Sequence, residues 1–122
     1  RRFKEQQKLL ARLRKIVKCK VVLCKRQKRF NKDKEEYYTI KGDDINLALD
    51  MLNDAWKDKY DKAILFSGDG DFVPLLKYVK NKNKKVEVVS FDKLASRDLI
   101  HKSDKFLFIN KKTANRFFWR GQ

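Results

Sequence analysis

Two aspartates follow an apolar run near the middle of the sequence. Residues 63–67 (AILFS) form this run, and Asp69 and Asp71 alternate with two glycines directly after it. Carboxylates this close together repel each other unless a cation or a basic group lies between them. A set of oxygen ligands suits Mg²⁺ or Mn²⁺ better than Zn²⁺. The spacing therefore suggests a divalent-metal site, although a D-x-D pattern by itself is a weak signal for one.

The elements around these acids alternate between strand and helix. Strands are predicted at residues 63–67, 85–91 and 106–109, with helices at 72–80 and near 94–102. This alternation predicts an α/β fold with a mainly parallel sheet, and continuous apolar strands predict helices on both of its faces. Ligand sites in such sheets lie beyond the carboxyl ends of the strands, which is where Asp69 and Asp71 fall. Asp71 also suits the N-cap of the next helix, but capping explains only one of the two acids.

A third acid precedes another predicted helix. Residues 41–44 (KGDD) lead into an amphipathic segment, and Asp43 or Asp44 suits its N-cap. Because this helix leads directly into the strand at 63–67, the carboxylate of Asp44 is expected to reach the same rim of the sheet. Asp50 lies about 240° further round the helix, so it is either a supporting residue or a solvated one. The predicted apolar face consists of Ile45, Ala48, Leu49, Leu52, Ala55 and Trp56.

Positive charge is concentrated in the first third of the chain. The net charge is +16, and residues 1–41 contain 16 Lys or Arg against 4 Asp or Glu. A field of this size favours a polyanionic partner, with nucleic acid as the first candidate. An anionic membrane surface or simple solubility is the alternative. A basic amphipathic helix is predicted at residues 2–17, a short strand at 20–24, and an exposed loop or edge hairpin with a strand at 37–40.

Composition predicts one domain over residues 1–122 with a basic, aromatic tail at 111–122. No apolar run approaches the roughly 20 residues that a membrane span needs, and no signal peptide is recognisable. Cys19 and Cys24 would point to opposite faces of a strand, which disfavours a disulfide between them. These features predict a reducing, cytoplasmic setting and no membrane partner.

Three segments together resemble the NYN domain, a PIN-like group of metal-dependent ribonucleases. They are KGDDINLALDML at 41–52, AILFSGDGDFVPLL at 63–76 and KVEVV at 85–89, and ASRDLIHKSDKFLFI at 95–109 is similar to the closing segment of that family. The resemblance implies a Rossmann-like PIN fold and RNA as the substrate. It implies that Asp44, Asp69 and Asp71 hold Mg²⁺ or Mn²⁺ and cleave RNA.

The same resemblance implies roles for further residues. Ser67 matches a small polar residue that lines the turn, and Asp104 matches a late acid whose role stays open. Lys and Arg around the rim, among them Lys41 and Arg29, are expected to bind the RNA backbone.

The chain also departs from the family pattern at its beginning. The family opens with an apolar strand that ends in an acid and an Asn, and no such element is found here. The expectation is that residues 1–122 lack the first strand–helix–strand unit and its acid, so that another segment or a partner chain completes the sheet, or the site is incomplete. Two alternatives to a nuclease follow: a non-catalytic RNA-binding or assembly module, and a regulatory subunit that needs a partner for activity.

Overall fold

A computed structural model describes residues 1–91 and 93–117. The chain forms two compact units, Arg1–Asp43 and Asp44–Gln122. The prediction of a single domain over residues 1–122 stays a prediction. Phe118 and Trp119, in the predicted aromatic tail, lie outside the described residues, while the start of that tail forms a short helix at Lys111–Asn115.

The first unit contains one helix and one β-hairpin. Helix α1 spans Arg2–Arg14, and it buries none of its residues. Strands β1 (Lys25–Phe30) and β2 (Glu36–Lys41) pair in antiparallel register, from Lys25 opposite Lys41 to Phe30 opposite Glu36. The predicted basic helix is confirmed, although α1 ends three residues early. Of the two alternatives predicted for the next segment, a loop or an edge hairpin, the hairpin forms, as a two-stranded sheet of its own.

The predicted strand at residues 20–24 is wrong, because these residues have no regular structure. The hairpin is organised by its turn, where Asn31 Oδ1 accepts the N–H groups of Asp33 and Glu35 at 2.9 and 2.8 Å. Pairing extends outward from this turn and ends at Lys25 opposite Lys41. The next residue after Lys41, Gly42, has a φ of 86°, which turns the chain out of the strand. Residues 20–24 therefore lie beyond the end of the hairpin ladder.

The second unit is built on a parallel three-stranded sheet. The strand order is β3-β4-β5, and both neighbouring pairs are parallel. The elements are α2 (Asp43–Trp56), β3 (Lys62–Phe66), a 3₁₀ turn (Gly70–Phe72), α3 (Val73–Asn81), β4 (Lys85–Ser90), α4 (Arg97–Lys102), β5 (Lys105–Phe108) and α5 (Lys111–Asn115). The α/β class and the parallel strand–helix order are confirmed.

One face of this sheet carries the hydrophobic core. Leu65, Val86 and Val88 point to this face, and Phe106 packs at its edge. Helices α2, α3 and α4 contribute residues to the same cluster, including Ala55, Leu75, Leu76, Val79 and Leu99. Five of the larger core side chains are completely or almost completely shielded from solvent: Leu76, Leu99, Val79, Val86 and Val88.

The other face of the sheet is open in the part of the chain that the structure describes. Side chains alternate along each strand, so Ile64, Phe66 and Leu107 point away from the core cluster. They are 56%, 62% and 51% exposed. A shallow cavity of about 220 Å³ lies on this face between β3, β4 and β5. The prediction of helices on both faces is therefore met on one face only, because α2, α3 and α4 all direct their apolar residues to the same cluster.

Helix α2 packs less of its predicted apolar stripe against the core than the sequence pattern suggests. Its apolar stripe was predicted to include Ile45, Leu49 and Trp56, but these residues are 60% or more exposed. Only the side of the stripe at Ala48, Met51, Leu52 and Ala55 packs against the core. The stripe is thus wider than the surface it covers. Trp56 instead lies under the ammonium group of Lys82, whose Nζ is 4.3 Å from the ring centroid.

Cys19 and Cys24 are half-buried thiols and do not form a disulfide. The strand that was predicted to direct them to opposite faces is absent, because both cysteines lie in irregular chain. Among the described helices, none is long and apolar enough to cross a membrane.

Candidate metal centre

The turn after β3 is held by backbone and side-chain hydrogen bonds. The N–H of Ser67 donates to the Val89 carbonyl at 2.9 Å, which continues the pairing of β3 with β4. The N–H of Asp69 donates to Ser67 Oγ at 3.1 Å, and the N–H of Asp71 donates to Asp69 Oδ1 at 2.9 Å. Ser67 therefore orients Asp69, and one carboxylate oxygen of Asp69 is already engaged within the turn.

Asp69, rather than Asp71, is the cap of this turn. Its side chain caps the 3₁₀ turn Gly70–Phe72, which runs directly into α3. The sequence interpretation of Asp71 as the N-cap is wrong, because the helical turn begins before α3 and moves the cap position two residues toward β3. Pro74 lies in the first turn of α3, as predicted. Capping therefore accounts for Asp69, and the carboxylate of Asp71 is the one that needs another explanation.

Both glycines of the turn are required by close approach of a neighbouring segment. A Cβ on Gly68 would lie 2.9 Å from Ser90 Oγ and 3.2 Å from the Cβ of Ala95, and a Cβ on Gly70 would lie 2.8 Å from Ser96 Oγ. The N–H of Ser96 donates to the Gly68 carbonyl at 3.0 Å. Sequence reasoning missed this supporting segment, for which the only signal is the pair of small residues before α4.

The three predicted acids meet beside this turn. Asp44 lies in the first turn of α2, and Asp69 and Asp71 follow the carboxyl end of β3. One carboxylate oxygen from each of the three residues lies within 4.8 Å of the others, and all three side chains are exposed. In the described ranges 1–91 and 93–117, no Lys or Arg forms an ion pair with Asp69 or Asp71. The convergence expected from the sequence is thus present in the geometry.

The donor set fits a small divalent cation. Two oxygens on opposite sides of Mg²⁺, each about 2.1 Å from it, are about 4.2 Å apart. The three carboxylate oxygens lie within 4.8 Å of one another, a limit slightly larger than this separation. Rotation of the exposed side chains would be enough to bring the oxygens to the distances that the cation needs. All donors are carboxylate oxygens, which suit Mg²⁺ or Mn²⁺ and do not favour Zn²⁺.

The late acid, Asp104, has a different place and a structural role. Its Oδ2 accepts the N–H of Val86 at 2.7 Å, and its own N–H donates to the Val86 carbonyl at 2.8 Å. Lys80 Nζ lies 3.7 Å from Oδ1. Asp104 precedes β5, whereas Asp69 follows β3, and the strands are parallel. The two acids therefore lie at opposite ends of the sheet, and Asp104 joins β5 to β4.

Replacing Asp104 by Ala is expected to lower the free energy of unfolding by roughly 1.5–3 kcal/mol, because the Val86 N–H loses a charged acceptor in a partly buried position. Asp104→Asn keeps an oxygen acceptor and should cost clearly less. Urea denaturation of both variants measures the difference. Equal costs for the two substitutions would contradict the assignment of this hydrogen bond.

The two basic residues of the predicted site lie on the hairpin of the first unit. Lys41 ends β2 directly opposite Lys25, and Arg29 in β1 stands opposite Tyr37. The Nη2 of Arg29 donates to Gln27 Oε1 at 3.1 Å. Both residues are exposed, and their role in substrate binding stays a prediction, as does that of Ser67.

Comparison with known proteins identifies the family. The sequence model of the NYN domain matches residues 4–110. The protein called low amplitude and bright protein LabA, from Synechococcus elongatus, is 34% identical over 74 residues, which are 61% of this chain and 39% of that protein. A crystal structure of a protein of unknown function from Vibrio parahaemolyticus is similar with a TM-score of 0.67 and 33% identity, over 88% of this chain and 62% of that one.

The chain thus spans less than two thirds of the length of either relative. The family match covers most of the described residues, and it includes both the sheet and the three converging acids. The parallel α/β arrangement agrees with a PIN-like nuclease fold. The chain belongs to the NYN-domain family.

Proposed function

We propose that this chain is a metal-dependent ribonuclease that hydrolyses RNA phosphodiester bonds with Asp44, Asp69 and Asp71 and uses Mg²⁺ or Mn²⁺. The observation that carries the proposal is the convergence of three carboxylate oxygens within 4.8 Å at the end of β3, in a chain with the PIN-like nuclease fold of the NYN family. Capping of the turn explains Asp69 but not Asp71, which forms no ion pair with a Lys or Arg among the described residues. The mutual repulsion of acids held this close opposes folding in the absence of a cation.

Each residue has a defined part in this proposal. Asp44, Asp69 and Asp71 hold the cation, and Ser67 fixes the position of Asp69 through its backbone N–H. A bound Mg²⁺ or Mn²⁺ would supply an activated water and neutralise charge on the phosphate. Lys41 and Arg29 hold the RNA backbone by charge, without regard to base identity.

The direct test is cleavage of a labelled RNA by the purified chain in Mn²⁺ and in EDTA. We expect cleavage in the metal and none in the chelator, because the carboxylates alone offer no Lewis acid to neutralise the phosphate and activate the attacking water. RNA that is bound but left intact in Mn²⁺ would contradict the nuclease proposal and support a non-catalytic RNA-binding module instead.

The open edge of β3 belongs to the same proposal. In the sheet of the second unit as described, β3 has β4 on one side and no strand on the other. We propose that a further strand, from another segment or a partner chain, pairs with this edge and contributes to the site. If a second copy supplies it, cleavage per molecule should rise with protein concentration.

We also propose that the protein acts in the cytoplasm.

RNA binding by this chain is expected to weaken steeply as salt concentration rises. Each phosphate neutralised on a single strand contributes about −0.7 to the slope of log K against log salt, because counterions are released. Residues 1–41 carry a net charge of +12, which is enough for several such contacts. Titrations between 50 and about 200 mM salt measure the slope. A flat response would show that this charge does not bind RNA.

A further inference from the structure

The hairpin of the first unit presents two faces of different chemistry. Its antiparallel register places directly opposite residues on the same face. The lysine face consists of Lys25, Lys41, Gln27, Thr39, Arg29 and Tyr37. The phenylalanine face consists of Arg26, Ile40, Lys28, Tyr38, Phe30 and Glu36.

The cations of the phenylalanine face already have partners within the hairpin. Lys28 Nζ lies 3.2 Å from Glu36 Oε1 and 5.8 Å from the centroid of the Phe30 ring. The guanidinium of Arg26 lies 4.2 Å over the Tyr38 ring, and the Tyr38 hydroxyl donates to Glu36 Oε1 at 2.7 Å. The charges of this face are therefore largely paired within the hairpin, whereas the rings of Phe30 and Tyr38 stay 63% and 50% exposed.

The lysine face carries three cations and no acid. Lys25 and Lys41 are directly opposite each other, an arrangement that destabilises a strand pair. No ion pair to an acid is found for Lys25, Arg29 or Lys41 among the residues described. Arg29 uses one of its five N–H donors on Gln27, which leaves most of its fork for another acceptor. An external anion would relieve the lysine repulsion.

The spacing on this face suits a polymer. Lys25 and Arg29 are four residues apart in one strand, which corresponds to about 13 Å. A single small anion cannot contact both positions, whereas a nucleic-acid backbone can. Tyr37 stands directly opposite Arg29 and is 43% exposed, so its ring is available beside the second contact point.

The exposed ring of Tyr37 favours single-stranded RNA over an RNA duplex as the ligand. Bases of a single strand stack on exposed aromatic rings, and the deep, narrow major groove of an RNA duplex does not admit protein side chains. A membrane surface would instead engage apolar side chains, and those of the hairpin, Phe30 and Ile40, lie on the other face.

We propose that the lysine face of this hairpin is a binding site for single-stranded RNA, with phosphates at the Lys25–Lys41 pair and at Arg29 and a base stacked on Tyr37. This inference rests on the proposed function for RNA as the ligand, and it adds the strandedness of the substrate and the face that binds it.

The test compares equal charge removal from the two faces of the full chain. Lys25→Gln with Arg29→Gln removes one Lys and one Arg from the lysine face, and Arg26→Gln with Lys28→Gln removes the same from the phenylalanine face. Affinity for a fluorescent uridine 20-mer is measured in EDTA, so that cleavage does not interfere. We expect roughly a 10-fold loss and a salt slope smaller by about 1.4 for the first variant, and less than about a 2-fold loss for the second. Equal losses would overturn the proposal.

A second pair of variants separates binding from folding. Lys25→Gln with Lys41→Gln removes a like-charge pair, so we expect unchanged or higher stability in urea together with weaker RNA binding. Tyr37→Leu is expected to lose roughly 10-fold in affinity from base stacking, and Tyr38→Leu much less. Loss of stability in step with loss of binding would overturn the assignment.

Ligand controls complete the experiment. Equal affinity for a duplex RNA of the same length, or tighter binding to phosphatidylserine vesicles than to the 20-mer, would also overturn it. Failure of the nuclease proposal alone would give a different result. A protein that does not cleave RNA would still lose more RNA affinity on charge removal from the lysine face than from the phenylalanine face.

Discussion

Asp69→Asn is expected to reduce Mn²⁺-dependent RNA cleavage by roughly 100-fold or more, which corresponds to about 2.7 kcal/mol of lost transition-state stabilisation. The substitution removes one of the three charges that converge beside the turn. It leaves the fold intact, because Asn is as good a cap as Asp and its side-chain oxygen can still accept the Asp71 N–H. Stability in urea should therefore change little while activity collapses.

A matched control is available on α2. Asp54 is a partly exposed aspartate near the end of that helix, with its Oδ1 3.6 Å from Lys59 Nζ, and it lies outside the acidic cluster. Asp54→Asn should leave cleavage unchanged. Asp44→Asn and Asp71→Asn should behave as Asp69→Asn does, since each removes a carboxylate from the same cluster. Full activity in all three cluster variants would exclude this site as the catalytic centre.

Metal binding gives an independent readout of the same cluster. Electron paramagnetic resonance counts free Mn²⁺ in the presence of the protein without any RNA. We expect the Asp69→Asn variant to bind Mn²⁺ more weakly than the Asp54→Asn control. Weak cleavage with unchanged Mn²⁺ binding would instead indicate that Asp69 contacts RNA and does not hold the cation.

The sequence predicted the second unit better than the first. Strands β3, β4 and β5 are continuous apolar runs between clear turn signals, and each was located within one residue at either end. Residues 20–24 are equally apolar, yet they form no strand, because pairing in the hairpin starts from the turn at Asn31 and ends at Lys25. An apolar run indicates a strand only when a partner is available, and local pattern does not report the partner.

The candidate metal site was also predicted only in part from the sequence. The meeting of Asp44 with Asp69 and Asp71 was expected from the topology of a parallel sheet, because the start of one helix and the end of the adjoining strand share a rim. Which aspartate caps the turn was predicted wrongly, because the choice depends on a three-residue 3₁₀ turn that has no sequence period. The structural role of Asp104 depends on its contact with Val86, 18 residues away, and no local pattern could assign it.

The open face of the sheet leads to a prediction within one strand. Leu65 is 4% exposed and belongs to the core cluster, whereas its neighbour Ile64 points to the other face and is 56% exposed. Leu65→Ala should lower the free energy of unfolding by about 2–5 kcal/mol, through lost burial and a residual cavity. Ile64→Ala should cost about 1 kcal/mol or less, chiefly through the lower β-propensity of Ala.

Urea denaturation at low protein concentration measures both costs under the same conditions, and Leu107→Ala tests the open face again from β5, where the side chain is 51% exposed. Because Ile64 and Leu107 lie in neighbouring rows of the same face, any further strand or helix that packs there would bury both. Large costs for both substitutions, comparable to that of Leu65→Ala, would mean that this face is covered in solution. Small costs that rise when a partner chain is added would identify that partner as the element that covers it.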